Sequence, residues 1–250
     1  MTLNAQKIIL NEERNVQLTV MLQAVDGEFG AIHARPAILI LPGGGYEMCS
    51  DREAEQVAYP YMAAGYHAFV LRYSVKEHKD WPNPLNDYEQ AMQYIEDHAD
   101  EWHVKTDKIV VAGFSAGGHL ASTVATHAAS DVKPNFQILF YPVISMKPDI
   151  THHESHDNLL GRKPGTYLEE LYSNDMQVSA STPRAFIMLS DDDDVVMPAN
   201  SINYYSALLA HKIPAALYVY PSGGHGYGIY TSFPYHLEML LELKGWLASF

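Results

Sequence analysis

A short apolar run, Ile109-Val-Val-Ala112, leads into Gly113-Phe-Ser-Ala-Gly117, and a helix-forming run, Leu120-Ala-Ser-Thr-Val-Ala125, follows almost at once. Gly-x-Ser-x-Gly set between a strand and a helix predicts a reversal so sharp that a side chain two residues either side of the serine would collide with a neighbouring element. Such a turn holds Ser115 in a strained backbone conformation. It leaves Oγ exposed beside a helix N-terminus, where backbone N–H groups can face developing negative charge. The pentad alone is common in turns, and the strand and helix around it give it meaning.

The rest of the chain repeats that alternation. Residues 7–10 and 16–25 are expected as opening strands in an antiparallel edge pair, the second with Val16, Leu18, Val20 and Leu22 on one face. Residues 37–41 are short and continuously apolar, as a strand buried on both faces should be. Residues 52–64 read as a helix closed by Gly65, 68–71 as a strand, and 85–102 as a helix after the Pro82–Pro84 loop. Strands at 136–140, 185–189 and 216–220 follow, with helices at 199–211 and 234–250. Buried strands alternating with helices imply an α/β chain with a mostly parallel sheet covered on both faces. Ligands on such sheets sit beyond the carboxyl ends of the strands, which is where Gly43-Gly44-Gly45, Ser115, the Asp191–Asp194 loop and His225 all fall.

The segment 145–182 breaks the pattern. It is polar, with His152, His153, His156, Gly161 and Pro164, and a weak helix near residues 167–172. It reads as a lid or substrate-pocket insert within a single domain spanning 1–250, the alternative being a disordered surface loop.

A net charge of −14, from 16 basic and 30 acidic residues, disfavours nucleic acid as a partner. Cys49 is the one cysteine, so no internal disulfide forms and a reducing, cytoplasmic setting is expected. No elbow surrounds Cys49, which reads as a packed thiol. The N-terminus has no signal-peptide pattern, and no apolar run approaches the roughly 18 residues of a membrane span. A homo-oligomer is compatible with the sequence but nothing specifies it.

Serine is a weak nucleophile unless a base reaches it and a third group orients that base. His225, in Gly-Gly-His-Gly226 after the last strand, is the best-placed base. His119 is too near the elbow, while His127, His211 and His236 belong to amphipathic helices. The acid should come from Asp191, Asp192, Asp193 and Asp194; adjacent like charges repel, so only one can be held buried. Ala116 and the glycines at 43–45 are candidate oxyanion donors. The glycine run lacks the Lys-Ser/Thr and Gly-x-Gly-x-x-Gly patterns of phosphate cradles. His152-His153-Glu154-Ser155-His156 has a metal-like composition without metal-site spacing. Tyr46, Tyr227 and Tyr230 could line a pocket or pack in the core or rim.

The chain resembles the α/β-hydrolase superfamily, and within it the small bacterial acetyl and acetylxylan esterases related to hormone-sensitive-lipase-like enzymes. The resemblance rests on Leu-Pro-Gly-Gly-Gly-Tyr46, Cys-Ser-Asp-Arg-Glu53, Leu-Arg-Tyr-Ser74, Ala-Gly-Phe-Ser-Ala-Gly-Gly-His119, Tyr-Pro-Val143, Asn-Leu-Leu-Gly161, the 190–201 segment and Gly-Gly-His-Gly226. It implies an α/β-hydrolase fold and a serine carboxylesterase acting on short-chain esters, acetyl above all, of a carbohydrate or other small molecule. Ser115, Asp193 and His225 would be catalytic, with Gly44, Gly45 and Ala116 holding the oxyanion and no metal or organic cofactor. The group's pattern Gly-x-x-Asp-x-x-Val-Pro-x-x-Asn-Ser, laid without gaps, puts the acid on Asp193, with Asp194 as the fallback. Ser190 replaces its glycine and Met197 its proline. A peptidase or amidase with the same triad, and a non-catalytic binding protein on this fold, are the competing readings. Comparing an ester with its amide separates the first, and failure of an organophosphate to add to Ser115 would favour the second.

Overall fold

Runs such as Ala37-Ile-Leu-Ile-Leu41 offer water no polar side chain, so both faces of their strands must be covered. The computed structural model, which describes residues 4–129 and 131–249, meets that demand with one sheet. Its strands are β1 (Asn4–Asn11), β2 (Val16–Leu22), β3 (Arg35–Leu41), β4 (His67–Arg72), β5 (Val104–Phe114), β6 (Phe136–Phe140), β7 (Arg184–Ser190) and β8 (Ala215–Tyr220). Among the described residues they lie in the order β1-β2-β4-β3-β5-β6-β7-β8. The first two form the antiparallel edge, and from β4 through β8 every neighbouring pair is parallel.

The helices are α1 (Ala58–Ala63), α2 (Asn83–Asp97), α3 (Ala99–Trp102), α4 (Ala116–His127), α5 (His153–Leu160), α6 (Thr166–Leu171), α7 (Ala199–Ala210) and α8 (His236–Leu247). Alternate residues of each strand feed opposite faces. Leu39 and Leu41 join one core with Ala91 and Ile95 of α2, Leu120 of α4 and Leu208 of α7. Ile38 and Ile40 join the other with Tyr61 of α1 and Met239 and Trp246 of α8. Each of the Leu, Ile and Met side chains contributes about 1.5–3 kcal/mol on burial.

Two expectations need correction. The helix expected over 52–64 is α only from Ala58; before it run two 3-10 turns, Asp51–Glu53 and Glu55–Val57, separated by Ala54 at φ −101°, ψ −124°. The cause is non-local, because Glu53 is drawn inward by the Gly43 N–H and the Tyr141 hydroxyl, and a continuous helix cannot supply that direction. The 145–182 segment carries α5 at His153–Leu160 in addition to the helix expected near 167–172, found as Thr166–Leu171. The clustered histidines concealed α5, since its buried face is short: Ser155, His156 and Leu159. The segment is tied to α4 by Asn174, whose Nδ2 donates to His119 O at 3.2 Å and Ser122 Oγ at 2.8 Å.

His119 makes a second tie. Its Nε2 lies 2.8 Å from Tyr172 O, an acceptor only, so Nε2 carries the proton and Nδ1 accepts from the Tyr46 hydroxyl at 2.8 Å. Burial lowers this imidazole from 6.5 to about 4. The unfolded chain takes up the proton first, so this stability is complete above about pH 6.5 and is lost as pH falls toward 4, about 3 kcal/mol in all. The thermal midpoint is expected to drop over that window, and less so in His119→Gln, whose amide can make both contacts. An equally steep drop in the variant would assign the acid sensitivity elsewhere.

Candidate active site

The elbow forms where β5 ends and α4 begins. Ser115 sits at φ 53°, and its N–H donates to Phe140 O at 3.1 Å, while its carbonyl accepts from Gly118 and Val143 at 2.9 and 3.0 Å. The glycine requirement is steric. A Cβ on Gly117 would lie 2.1 Å from Leu41 O, so α4 could not approach the end of β3.

His225 arrives on the loop after β8, whose Gly223, Gly224, Gly226 and Gly228 all take positive φ. Its Nε2 lies 2.8 Å from Ser115 Oγ and its Nδ1 2.7 Å from Asp193 Oδ2. An ionised carboxylate only accepts, so the proton sits on Nδ1 and Nε2 is free to accept from the serine hydroxyl. Of the four consecutive acids after β7, only Asp193 turns inward, at 5% exposure. Its Oδ1 accepts the N–H groups of Val195 and Val196 at 3.0 and 2.9 Å, leaving Oδ2 for His225. Asp191, Asp192 and Asp194 are exposed, and Asp192 accepts the Gly224 N–H at 2.8 Å, which fastens the two loops together. Asp194, the fallback acid, does not face His225.

Ser115 and His225 open onto a cavity of about 490 Å³ that Gly44 and Gly45 also line. Ala116 is the first residue of α4, so its N–H has no acceptor within the helix. The 145–182 segment forms part of the wall through His152 and Glu154, and Asn158 Nδ2 donates to Gly45 O at 2.8 Å. Burial lowers the His152 imidazole below its ordinary value, and its Nδ1 meets Ser155 Oγ at 2.8 Å. His156 turns instead to Asp157 and Glu169, at 2.9 and 3.3 Å. Among the described residues no three His, Cys, Asp or Glu side chains converge as a metal site would require.

The other candidates fall outside the cavity wall. Tyr46 is fully buried against His119, Tyr227 is buried in a parallel stack on Phe233, and Tyr230 is exposed. Burial pushes the Cys49 thiol up to about 12, which leaves it a poor nucleophile. Arg52 and Glu53 of the wall, and Tyr141 edge-on to His225, carried no role in the sequence, and Glu154 stood there only within the metal-like run. The signal for two of them was present, since Glu53 and Tyr141 lie in the stretches Cys-Ser-Asp-Arg-Glu53 and Tyr-Pro-Val143 that carry the resemblance.

The sequence matches the BD-FAE family over residues 30–208. It is 38% identical over 218 residues to an acetylxylan esterase of Xylanibacter ruminicola, a match covering 85% of this chain and 45% of that protein. The chain thus spans less than half the length of this curated relative. Among solved structures, the acetyl ester-xyloside bifunctional hydrolase from Caldicellulosiruptor lactoaceticus superposes with a TM-score of 0.88 at 30% identity, covering 98% of this chain and 96% of that one. MGS-M1, an α/β hydrolase enzyme from a Medee basin deep-sea metagenome library, superposes at 0.79 with 36% identity, covering 98% and 94%.

Proposed function

Because the chain belongs to the BD-FAE family and has the α/β-hydrolase fold, we propose that it is a serine carboxylesterase that removes short acyl groups, acetyl foremost, from an esterified sugar or similar small molecule. Ser115 Oγ attacks the ester carbonyl as His225 Nε2 takes its proton, and Asp193 steadies the imidazolium. The N–H groups of Ala116, Gly44 and Gly45 receive the developing oxyanion. The proton then passes from His225 to the departing alcohol, leaving an acyl-serine. Water, deprotonated by the same imidazole, releases the acid. No metal or organic cofactor enters this scheme.

One observation carries the reading: the unbroken hydrogen-bond chain from Asp193 through His225 to Ser115, at 2.7 and 2.8 Å, opening onto a cavity. The acetyl preference is supported by the names of two relatives, the acetylxylan esterase and the acetyl ester-xyloside hydrolase. The wall carries Glu47, Asp51, Arg52 and Glu154 beside Met48 and Val195, which gives a polyhydroxy alcohol polar partners. The 145–182 insert, through His152 and Glu154, is the part of the wall we assign to substrate selection.

A graded series of acyl esters of one alcohol tests this. We expect kcat/KM to be highest for acetyl and to fall with chain length, and the matching acetamide to be cleaved far more slowly. A rise toward long chains would overturn the acetyl assignment, and equal rates on the amide would favour an amidase. Among the described residues no helix is long and apolar enough to cross a membrane.

A further inference from the structure

Glu53 lines the cavity, yet the residue is only 2% exposed and no step above uses it. Its Oε2 accepts the Gly43 N–H at 3.0 Å, and its Oε1 accepts the Tyr141 hydroxyl at 2.7 Å. That hydroxyl in turn accepts the Gly228 N–H at 2.9 Å. One buried carboxylate therefore joins the loop that holds Gly44 and Gly45 to the loop that holds His225. Contact is close on both sides: a Cβ on Gly43 would lie 2.6 Å from Glu53 Oε2 and 2.8 Å from Ser115 Cβ, and one on Gly228 would lie 3.2 Å from Arg52 O. The Tyr141 ring lies edge-on to the His225 ring at 4.7 Å between centroids.

We propose that Glu53 is a positioning residue for the ester hydrolysis proposed above: through Gly43 and Tyr141 it sets the oxyanion loop and the His225 loop in register about Ser115. Two features point past simple packing. The Gly43 N–H is spent on Glu53, which fixes the orientation of that peptide and leaves the next two N–H groups for the oxyanion. An amide in its place can keep its oxygen on the Gly43 N–H but turns an N–H toward the Tyr141 hydroxyl, which then loses the acceptor for its own proton.

The inference rests on the serine-hydrolase reading, so its test begins with mass addition of a fluorophosphonate at Ser115 in the wild type. Without that adduct the underlying reading fails; with it, the variants address Glu53 alone. Glu53→Gln is expected to lower kcat on an acetyl ester by about 10- to 100-fold, with KM changed less than about 3-fold. The link acts on the geometry about Ser115, so fluorophosphonate labelling of Ser115 in Glu53→Gln should slow in parallel with kcat. Tyr141→Phe breaks the same link at its other end, so it should lower kcat and slow labelling in the same way. A Glu53→Gln protein of unchanged kcat, or one that only melts earlier with fluorophosphonate labelling rate intact, overturns the proposal. So does a rise in kcat, which would mean that the carboxylate opposes the oxyanion. If Glu53→Gln does not fold, Tyr141→Phe alone decides, and wild-type kcat in that variant overturns the proposal.

Discussion

Ser115→Ala is expected to lower kcat on an acetyl ester by at least about 10³-fold, measured against wild type under saturating substrate. The only side-chain partner of Ser115 Oγ among the contacts described is His225 Nε2, at 2.8 Å, so the substitution removes the proposed nucleophile and little else. The elbow itself is held by backbone contacts, from Ser115 N–H to Phe140 O and from Val143 N–H to Ser115 O, at 3.1 and 3.0 Å, and alanine keeps both. The melting temperature should therefore stay close to that of the wild type, and KM should change little. Residual turnover would report what the oxyanion donors and the cavity achieve without covalent chemistry. A variant retaining a tenth or more of the wild-type rate would remove Ser115 from the reaction and with it the acyl-enzyme scheme.

The second large effect belongs to Asp193→Asn, where about a 10⁴-fold loss in kcat is expected. The surroundings of this side chain dictate how the amide must sit. The N–H groups of Val195 and Val196 both point at Oδ1, so the asparagine carbonyl takes that place. The amide nitrogen is then left where Oδ2 stood, 2.7 Å from His225 Nδ1. It donates, so Nδ1 must accept and the ring proton moves to Nε2. An imidazole in that tautomer cannot receive a proton from Ser115. Shape and volume are kept, so folding and KM should survive while fluorophosphonate labelling slows in parallel with kcat. If turnover falls less than about 10-fold, Asp193 does not orient the base, and the exposed neighbour Asp194 must be tested in the same way.

The parts of this molecule legible in its sequence are those whose signal is local. Five apolar residues from Ala37 to Leu41 declare a strand buried on both sides, and Gly113 and Gly117 around Ser115 declare a turn where a Cβ would strike backbone. The α/β order followed from such runs, and with it the end of the sheet where Ser115, Asp193 and His225 come together. The choice among four adjacent acids needed the family pattern, because nothing in Asp191-Asp-Asp-Asp194 says which side chain the turn after Ser190 sends inward. What escaped was long-range. Glu53 leaves the expected helix to meet Tyr141, 88 positions away, and no window of neighbouring residues contains that contact. α5 escaped because His152-His153-Glu154-Ser155-His156 looks solvated throughout. Its fixing contact, Asn158 to Gly45 O, spans 113 positions.

The serine hydroxyl and the imidazole beside it are separated by 110 positions, and the imidazole and its carboxylate by 32. On a ribosome, the strand, elbow and helix around Ser115 would all be complete well before residue 225 is synthesised. A hydroxyl with no base within reach keeps the low reactivity of an ordinary alcohol. Bringing such distant groups together must await closure of the parallel strands between them, which is slow compared with local turns. On the proposed mechanism, the nascent chain would therefore carry its hydroxyl unarmed, and reactivity would wait until β8 docks and the last glycine-rich loop closes over the sheet.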